Sequence, residues 1–261
     1  MTTSFSKGSL LDDDFLKNAC AKNPIREHKD DKGRLTGTFF SGPVRLSYPN
    51  LFFPKHIGAD PAKKPKFSVQ LMYPLCADPR PLLQASARMV TEFQKIDPKL
   101  LNASNCTREK INGMATPFRD QGEKITEYST PGALQMSCSN ERKPALYLPG
   151  PHGKPATLVS NDRPLAGGQT GEWLYSGCWA IVGFQLFINK AVPEKQIPAR
   201  LNSSLLSVLF FKDDKRYGGA HVDTSDLMGS AQGVEPVEIP GAEAYMAAGH
   251  PAQAAEEAFP W

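Results

Sequence analysis

Basic and aromatic side chains lie next to one another in five segments of the chain. These segments are RLSYPNLFFPK (45–55), KKPKFSVQLMY (63–73), ERKPALY (141–147), WLYSGCW (173–179) and FFKDDKRY (210–217). An aromatic ring can stack on the face of an unpaired base, which contributes ~1–3 kcal/mol per base whatever the base sequence. Lys and Arg can meet phosphates and release their counterions, so that affinity falls as salt rises. The mixture therefore predicts a surface that holds a single strand of nucleic acid.

Twelve residues of these segments are candidates for contacts with DNA. They are Arg45, Tyr48, Lys55, Lys66, Arg142, Lys143, Tyr147, Trp173, Tyr175, Trp179, Lys212 and Arg216. Tyr and Trp are better candidates than Phe because their polar atoms tolerate a wet surface, although packing explains these rings as well as base contact does. Four phenylalanines at strand periodicity are expected in the core: Phe67, Phe184, Phe187 and Phe210.

The charge of the chain is divided between its body and its end. From His221 onwards there are seven acids and no Lys or Arg, so the body holds all 30 basic residues against 27 − 7 = 20 acids. A formal charge of +10 on the body is therefore hidden in the total of +3. Such asymmetry indicates a polyanion partner for the body and an interaction tail.

Motifs for catalysis or cofactor binding are not found in the sequence. There is no P-loop, GxSxG or HExxH motif, and the five cysteines are widely spaced, so no enzyme activity, metal or cofactor is expected. The pairs Asp30–Asp31 and Asp213–Asp214 could bind Mg²⁺ as in a nuclease, but polar turns flanked by Lys are the simpler interpretation. No apolar run approaches the ~20 residues that span a bilayer, and the first residues lack an export signal. We therefore expect a cytoplasmic protein without a membrane or small-molecule partner.

A period of two in the apolar residues predicts strands for most of the regular structure. The predicted strands cover residues 36–48, 65–75, 132–139, 145–148, 177–189 and 203–211. A short helix is predicted over 9–21, capped by Ser9, and a substantial one over 79–96. Residues 23–34 are expected to form a polar loop, and 97–131 and 149–172 to form long insertions. Because strands and helices do not alternate, the prediction is a mainly β fold, a five-stranded, partly open barrel.

Four motifs resemble those of a family of tailed-phage single-stranded-DNA-binding proteins. They are VRLSYPNLFFPK (44–55), PKFSVQLMYPL (65–75), RKPALYLP (142–149) and YSGCWAIVGFQLF (175–187), and the resemblance runs over residues 36–220. It implies an OB-type barrel that coats displaced single strands in phage DNA replication and recombination, without catalysis. The residues that fall on these motifs are Arg45, Tyr48, Lys66, Arg142, Lys143, Tyr147, Tyr175 and Trp179.

Pattern and charge divide the chain into three expected parts, and the resemblance implies the roles of the second and the third. The expected parts are an N-terminal helix and loop (1–35), an OB-type single-stranded-DNA-binding domain (36–220) and a disordered acidic tail (221–261). As the resemblance implies, the tail would compete with DNA for the basic groove and dock on phage or host replication proteins. The candidate residues for these contacts are Glu256, Glu257, Phe259 and Trp261. Two alternatives stay open: a metal-dependent nuclease or recombination enzyme that acts on single strands, and a structural phage component.

Overall fold

The computed structural model describes residues 12–56, 64–102, 105–122, 130, 132–149, 157–158 and 174–217. All of them belong to the first of two compact units, which covers residues 1–218. The second unit, 219–261, lies outside the described residues, and so does the predicted acidic tail.

Eleven strands and two helices make up the regular structure of the described residues. The strands are β1 (Arg26–Lys29), β2 (Leu35–Lys55), β3 (Lys66–Met72), β4 (Lys110–Ile111), β5 (Met114–Ala115), β6 (Phe118–Asp120), β7 (Leu134–Asn140), β8 (Ala145–Leu148), β9 (Thr157–Leu158), β10 (Trp179–Asn189) and β11 (Arg200–Lys212). The helices are α1 (Asp13–Lys22) and α2 (Arg80–Gln94), and Pro98–Leu100 and Pro193–Lys195 form single 3₁₀ turns. Neither α1 nor α2 is long and apolar enough to cross a bilayer.

The long strands curl into a barrel that is not fully closed. β2 pairs antiparallel with β3 on one side and β10 on the other, β10 pairs with β11, and β3 pairs with β7. After a bend at 141–144 the chain continues as β8, which pairs in parallel with β11. Side chains also bridge β7 and β11, since Asn140 Nδ2 donates to the Leu205 carbonyl at 2.9 Å and Ser203 Oγ donates to the Ser137 carbonyl. The prediction of a mainly β fold, a partly open OB-type barrel, is confirmed.

Alternation along the strands separates the core from the outer surface. In β10, Phe184 and Leu186 point inward and are buried, and Phe184 stacks on Phe39 with ring centroids 5.6 Å apart. Phe67 is also buried, and Phe210 packs partly buried against the core, as expected. The expectation was wrong for Phe187, which is 37% exposed because its position in β10 places it on the outer face.

The N-terminal segment differs from the prediction in its cap and in an added strand. Helix α1 begins at Asp13, and its N-cap is Asp12, whose carboxylate accepts a hydrogen bond from the Phe15 amide at 2.6 Å; Ser9 lies outside the described residues. β1 replaces part of the predicted loop at 23–34 and pairs with β2. It was missed because its side chains are mostly exposed, which leaves no apolar period to detect.

Helix α2 lies within its predicted bounds, contacts β1 and β10, and buries Leu82, Ala85 and Val90. It ends at Lys95, which takes a left-handed conformation (φ 55°). The insertion at 97–131 contains the short strands β4, β5 and β6, and β6 extends the sheet beyond β7. This places additional residues of the insertion on the outer surface of the barrel.

Candidate nucleic-acid interface

A bulge in β2 sets the orientation of the most exposed aromatic ring. Ser47 pairs opposite Gln70 and Asn50 opposite Ser68, so the register of β2 on β3 shifts between the two pairs. Tyr48 lies within this shift with φ 47°, a left-handed conformation that is rare for an aromatic residue. Asn50 Nδ2 donates to Ser68 Oγ at 3.1 Å and fastens the bulge to β3. The bulge turns Tyr48 outward, where it is 74% exposed.

Tyr48 lines an open groove of about 630 Å³ on the outer face of the barrel. The walls come from β3, β7, β10, β11 and the segment around β6. We call it the polar groove; the lining residues used below are Tyr48, His56, Lys66, Ser68, Gln70, Arg119, Ser137, Ser139, Phe187, Arg200 and Asn202. It holds two exposed rings, Tyr48 and Phe187, together with four basic side chains.

The floor of the polar groove is a stripe of small uncharged polar residues. Ser68 pairs with Ser139 and Gln70 with Ser137 across β3 and β7, and these positions alternate with buried apolar ones. Hydroxyl and amide groups donate and accept hydrogen bonds without adding charge. The stripe can therefore lie against a sugar–phosphate chain without repelling it.

Among the residues that the structure describes, no Asp or Glu lines the polar groove. The Arg119 guanidinium donates to the carbonyls of Thr116 and Phe118, and within the described ranges no carboxylate pairs with Arg119 or Arg200. At the rim, Lys66 Nζ lies 3.7 Å from a Glu141 oxygen, a pair exposed to solvent on both sides. The positive potential of the groove is therefore largely uncompensated from within the described protein.

A second basic and aromatic group is buried where β11 ends. Arg45 Nε donates to the Gly177 carbonyl at 2.8 Å, and its Nη2 donates to the Lys215 carbonyl at 2.7 Å and lies 3.7 Å from Asp214 Oδ1. The other carboxylate oxygen of Asp214 accepts from Trp179 Nε1 at 2.6 Å. Gly177 has φ 114°, and a Cβ there would lie 2.3 Å from the Lys215 carbonyl oxygen, so the close approach requires glycine.

Rings and a second acid complete this group toward the surface. The guanidinium of Arg45 lies 4.2 Å from the centroid of the Tyr217 ring, and that of Arg216 lies 4.2 Å from the Tyr175 ring. The Tyr175 hydroxyl donates to the Asp213 carboxylate. Burial, and next the hydrogen bond to Asp213, raise the pKa of Tyr175 to about 12. We call the following residues the Asp214 cluster: Arg45, Tyr175, Trp179, Asp214 and Tyr217.

Burial in the Asp214 cluster limits what its members offer to a polymer. Arg45 and Trp179 are each 2% exposed, so neither presents a face to a base in this structure. The acid pair Asp213–Asp214, which could bind Mg²⁺ by its sequence, is also engaged in these contacts. The two carboxylates already accept hydrogen bonds from Tyr175 and Trp179. Across the described ranges, no group of three or more metal-binding side chains occurs.

The remaining candidates lie outside both groups or beyond the described residues. Lys55, Arg142 and Lys143 are exposed, the first at the end of β2 and the others in the bend between β7 and β8. Tyr147 is half-buried on β8, and Lys212 Nζ lies 5.4 Å from the centroid of the Phe15 ring. Trp173 and the tail residues lie outside the described residues: Glu256, Glu257, Phe259 and Trp261.

Several lining residues of the polar groove were missed from the sequence. They are His56, Ser68, Gln70, Arg119, Ser137, Ser139, Phe187, Arg200 and Asn202. A pattern of basic residues beside aromatic rings does not detect strands whose outward-facing side chains are small and polar. The alternation of Lys66, Ser68 and Gln70 with Phe67 and Val69 was the signal that could have identified the wall on β3.

Comparison with known proteins identifies the family. The family model for the single-stranded-DNA-binding protein of Enterobacter phage Enc34 matches residues 38–235. The solved structure of the bacteriophage Enc34 single-stranded-DNA-binding protein in complex with single-stranded DNA is similar at 19% identity and a TM-score of 0.48, over 74% of this chain and 98% of that one. Another structure of the Enc34 protein gives 21% identity and a TM-score of 0.44, over 78% of this chain and 98% of that one.

A third solved structure is gp2.5, a single-stranded-DNA-binding protein encoded by bacteriophage T7. It is similar at 16% identity and a TM-score of 0.39, over 78% of this chain and all of that one. A search of the curated proteins finds no match. The family model covers well over half of the chain, and the resemblance stated from the four sequence motifs is confirmed. The chain belongs to the phage family of the Enc34 single-stranded-DNA-binding protein.

Proposed function

We propose that this protein binds and coats single-stranded DNA during phage DNA replication and recombination, in the cytoplasm of the infected cell and without catalysis. The observation that carries the proposal is the polar groove, which combines exposed rings with basic side chains and, within the described part of the chain, has no acid in its lining. Family membership supports the same class of ligand.

The polar groove supplies the two kinds of contact that a single strand needs. Tyr48 and Phe187 offer ring faces on which bases stack, whatever the base sequence. Lys66, Arg119 and Arg200 meet the phosphates, and the Ser and Gln stripe hydrogen-bonds to the backbone between them. Binding through these groups would be strong at low salt and nearly independent of sequence.

Candidates outside the polar groove extend the proposed path of the strand. The exposed cations can contact phosphates that leave the groove: Lys55, Arg142, Lys143, Lys212 and Arg216. Tyr147 and Trp173 stay proposed contacts with bases. For Arg45, Tyr175 and Trp179 the support is weaker, because their contacts within the Asp214 cluster already occupy them.

The tail is proposed to act on the same surface. Its acids offer carboxylates in place of phosphates, so it would compete with DNA for the groove. Phe259 and Trp261, beside Glu256 and Glu257, would dock on phage or host replication proteins, with a ring in a pocket and carboxylates on basic residues.

Removal of two groove charges tests the proposal directly. We expect the Arg119→Gln Arg200→Gln variant to bind a labelled dT oligomer about tenfold more weakly at low salt. The slope of log affinity against log salt should fall by about 1.4, since each lost phosphate contact on a single strand removes about 0.7. The measurement is fluorescence anisotropy in a salt series, with duplex DNA of the same length for comparison.

Lys29→Gln Lys32→Gln is the matched control, because it also removes two positive charges and both lysines are exposed, on β1 and in the turn after it, and do not line the groove. It should leave the salt slope within experimental error of the wild type. Equal losses in the groove variant and in the control would show that only net charge matters. No retardation of poly-dT by the wild type at low salt would refute the function itself.

A further inference from the structure

Two cysteines that are far apart in the sequence meet at the surface of the barrel. The Sγ atoms of Cys20 and Cys76 lie 3.4 Å apart, although 56 positions separate the residues. Cys20 lies on the buried face of α1, and Cys76 lies in the turn after β3. The other cysteines have no such neighbour: Cys138 and Cys178 are buried in the core, and Cys106 contacts its own neighbour Asn105.

The pair is open to small reagents. Both cysteines line a cleft of about 260 Å³ between α1 and the turn, with Lys17 and Asp78 also in its lining. Cys76 is half-buried, so its sulfur is reached from the cleft without unfolding. Cys20 lies behind it, in a position to react second.

The two thiols differ in pKa and therefore in reactivity, and the difference suits a reaction in which Cys76 reacts first and Cys20 second. The Cys20 S–H stabilises a Cys76 thiolate by a hydrogen bond, which lowers the pKa of Cys76 against the opposing effects of burial and of Asp13, and nearby Lys17 lowers it further. The same hydrogen bond, together with burial, raises the pKa of Cys20. The thiolate is the nucleophilic form of cysteine. Cys76 is therefore the attacking sulfur and Cys20 the resolving one.

We propose that Cys20 and Cys76 form an oxidation site that hydrogen peroxide converts into a disulfide. The Cys76 thiolate attacks a peroxide oxygen, the O–O bond breaks, and a sulfenic acid forms while the other oxygen takes up a proton from the solvent and leaves as water. The Cys20 sulfur then attacks the Cys76 sulfur, the S–O bond breaks, and a second water leaves. Two thiols are oxidised and one peroxide is reduced to two waters.

The disulfide would add a covalent link between α1 and the barrel. Noncovalent contacts already hold this segment, including the Asn23 carbonyl close against Gly42 of β2 and the Phe15 ring 6.2 Å from the Phe211 ring of β11. A covalent link across such a long loop restricts the unfolded chain and stabilises the fold. None of the cleft residues lines the polar groove, so affinity for DNA should not depend on the state of the pair.

Oxidation of the native full chain tests the proposal. After treatment with hydrogen peroxide, thiol titration of the denatured protein should find three of the five thiols left, and dithiothreitol should restore them. Non-reducing trypsin digestion should give one linked species that joins residues 18–22 to residues 67–88. The oxidised protein should melt roughly 5 °C higher than the reduced one.

Variants separate this pair from the other cysteines. Cys106→Ser should still lose two thiols and form the same linked peptides, whereas Cys20→Ser and Cys76→Ser should form neither the link nor the more stable species. Five thiols after oxidation of the wild type would overturn the proposal. Linked peptides that contain Cys106 or that join two molecules would also overturn it. The peptide map of the wild type distinguishes these outcomes even if a variant folds poorly.

Discussion

The Asp214 cluster and the polar groove combine the same kinds of side chain and differ in their acids. In the cluster, Asp214 lies between Arg45 and Trp179, and all three are buried. In the groove, Arg119 and Arg200 face solvent, and none of the described acids lines the surface. Neighbouring rings and cations therefore belong to a structural contact in one place and to an open surface in the other.

The difference shows which feature separates packing from binding. A guanidinium that leaves water needs an anion and hydrogen-bond acceptors in place of its hydration, and Arg45 has both. A cation that remains hydrated keeps its charge available for an external anion. For basic and aromatic segments, the presence of a buried carboxylate is thus more informative than the number of rings.

The largest expected effect comes from removal of the acid in the cluster. Asp214→Asn leaves the buried guanidinium of Arg45 without its anion, and we expect a loss of about 3–5 kcal/mol in the free energy of unfolding. Urea denaturation measures it. Asp78→Asn, at an exposed carboxylate paired with Arg80, should cost about 0.5 kcal/mol or less. At a temperature where the variant is folded, its DNA affinity should match the wild type; unchanged stability with lost affinity would place the cluster in the interface.

The second-largest expected effect is on DNA affinity and not on stability. Tyr48→Ala should weaken binding of a dT oligomer by ~1–3 kcal/mol, since a stacking ring is lost, and should leave stability nearly unchanged because Tyr48 is 74% exposed. Tyr48→Phe keeps the ring face and should bind as the wild type does.

Trp179→Phe is the matched aromatic change in the cluster. It leaves Asp214 Oδ2 without the indole donor, so the unfolding free energy should fall by about 1–3 kcal/mol while affinity stays the same. Tyr48→Ala, by contrast, should lower the affinity. If its affinity equals that of the wild type, the Tyr48 ring does not lie on the proposed path of the strand.

The apolar periodicity of the sequence predicted the long strands of the barrel. Alternate side chains of such a strand are buried, and the sequence shows this directly as an alternation of apolar residues. Both helices and all six predicted strands correspond to elements of the structure. β1 could not be predicted in this way, because its stability comes from backbone pairing with β2 and its side chains are mostly exposed. The turn of β2 at Tyr48 was also hidden, since a bulge depends on register between strands.

The sequence predicted which kinds of side chain the candidate site combines, but it identified only some of the residues that line the polar groove. Lys66 and Tyr48 line the polar groove, as their segments suggested. Arg119 follows Phe118 in an insertion for which no strand was predicted, and Arg200 has no ring beside it in the sequence. Only the packing of β6 and β11 around β7 brings the two to the groove. Arg45 and Trp179 have a suitable composition, but their partner Asp214 is more than 30 residues away in the sequence, so their burial was not visible from local pattern.

A smaller effect follows from the pH dependence of Tyr175 at the rim of the cluster. Its pKa is raised from 10 to about 12, so the neutral hydroxyl stabilises the fold fully below pH 10, and this contribution is lost as pH rises from 10 to 12. Because the group is partly exposed, we expect a loss of only about 1 kcal/mol. In Tyr175→Phe the decline of Tm between pH 10 and 11.5 should be shallower than in the wild type. Parallel profiles would contradict the assignment of Tyr175 to a structural contact with Asp213.

The smallest effect has the opposite sign and concerns Glu141, an acid at the rim of the polar groove. Glu141 lies 3.7 Å from Lys66 Nζ and 3.9 Å from Lys64 Nζ, and all three side chains are substantially exposed. Because solvent screens such pairs, the change Glu141→Gln should alter stability by less than about 0.5 kcal/mol.

Affinity should nevertheless rise about two- to threefold at low salt, since a phosphate no longer competes with the carboxylate for these lysines. Glu92→Gln is the matched control, because it removes the same charge from the exposed face of α2, away from the groove. A gain confined to Glu141→Gln would show that acids near the groove set its affinity, as the buried acid sets the structure of the cluster. Equal gains in both variants would assign the effect to net charge alone.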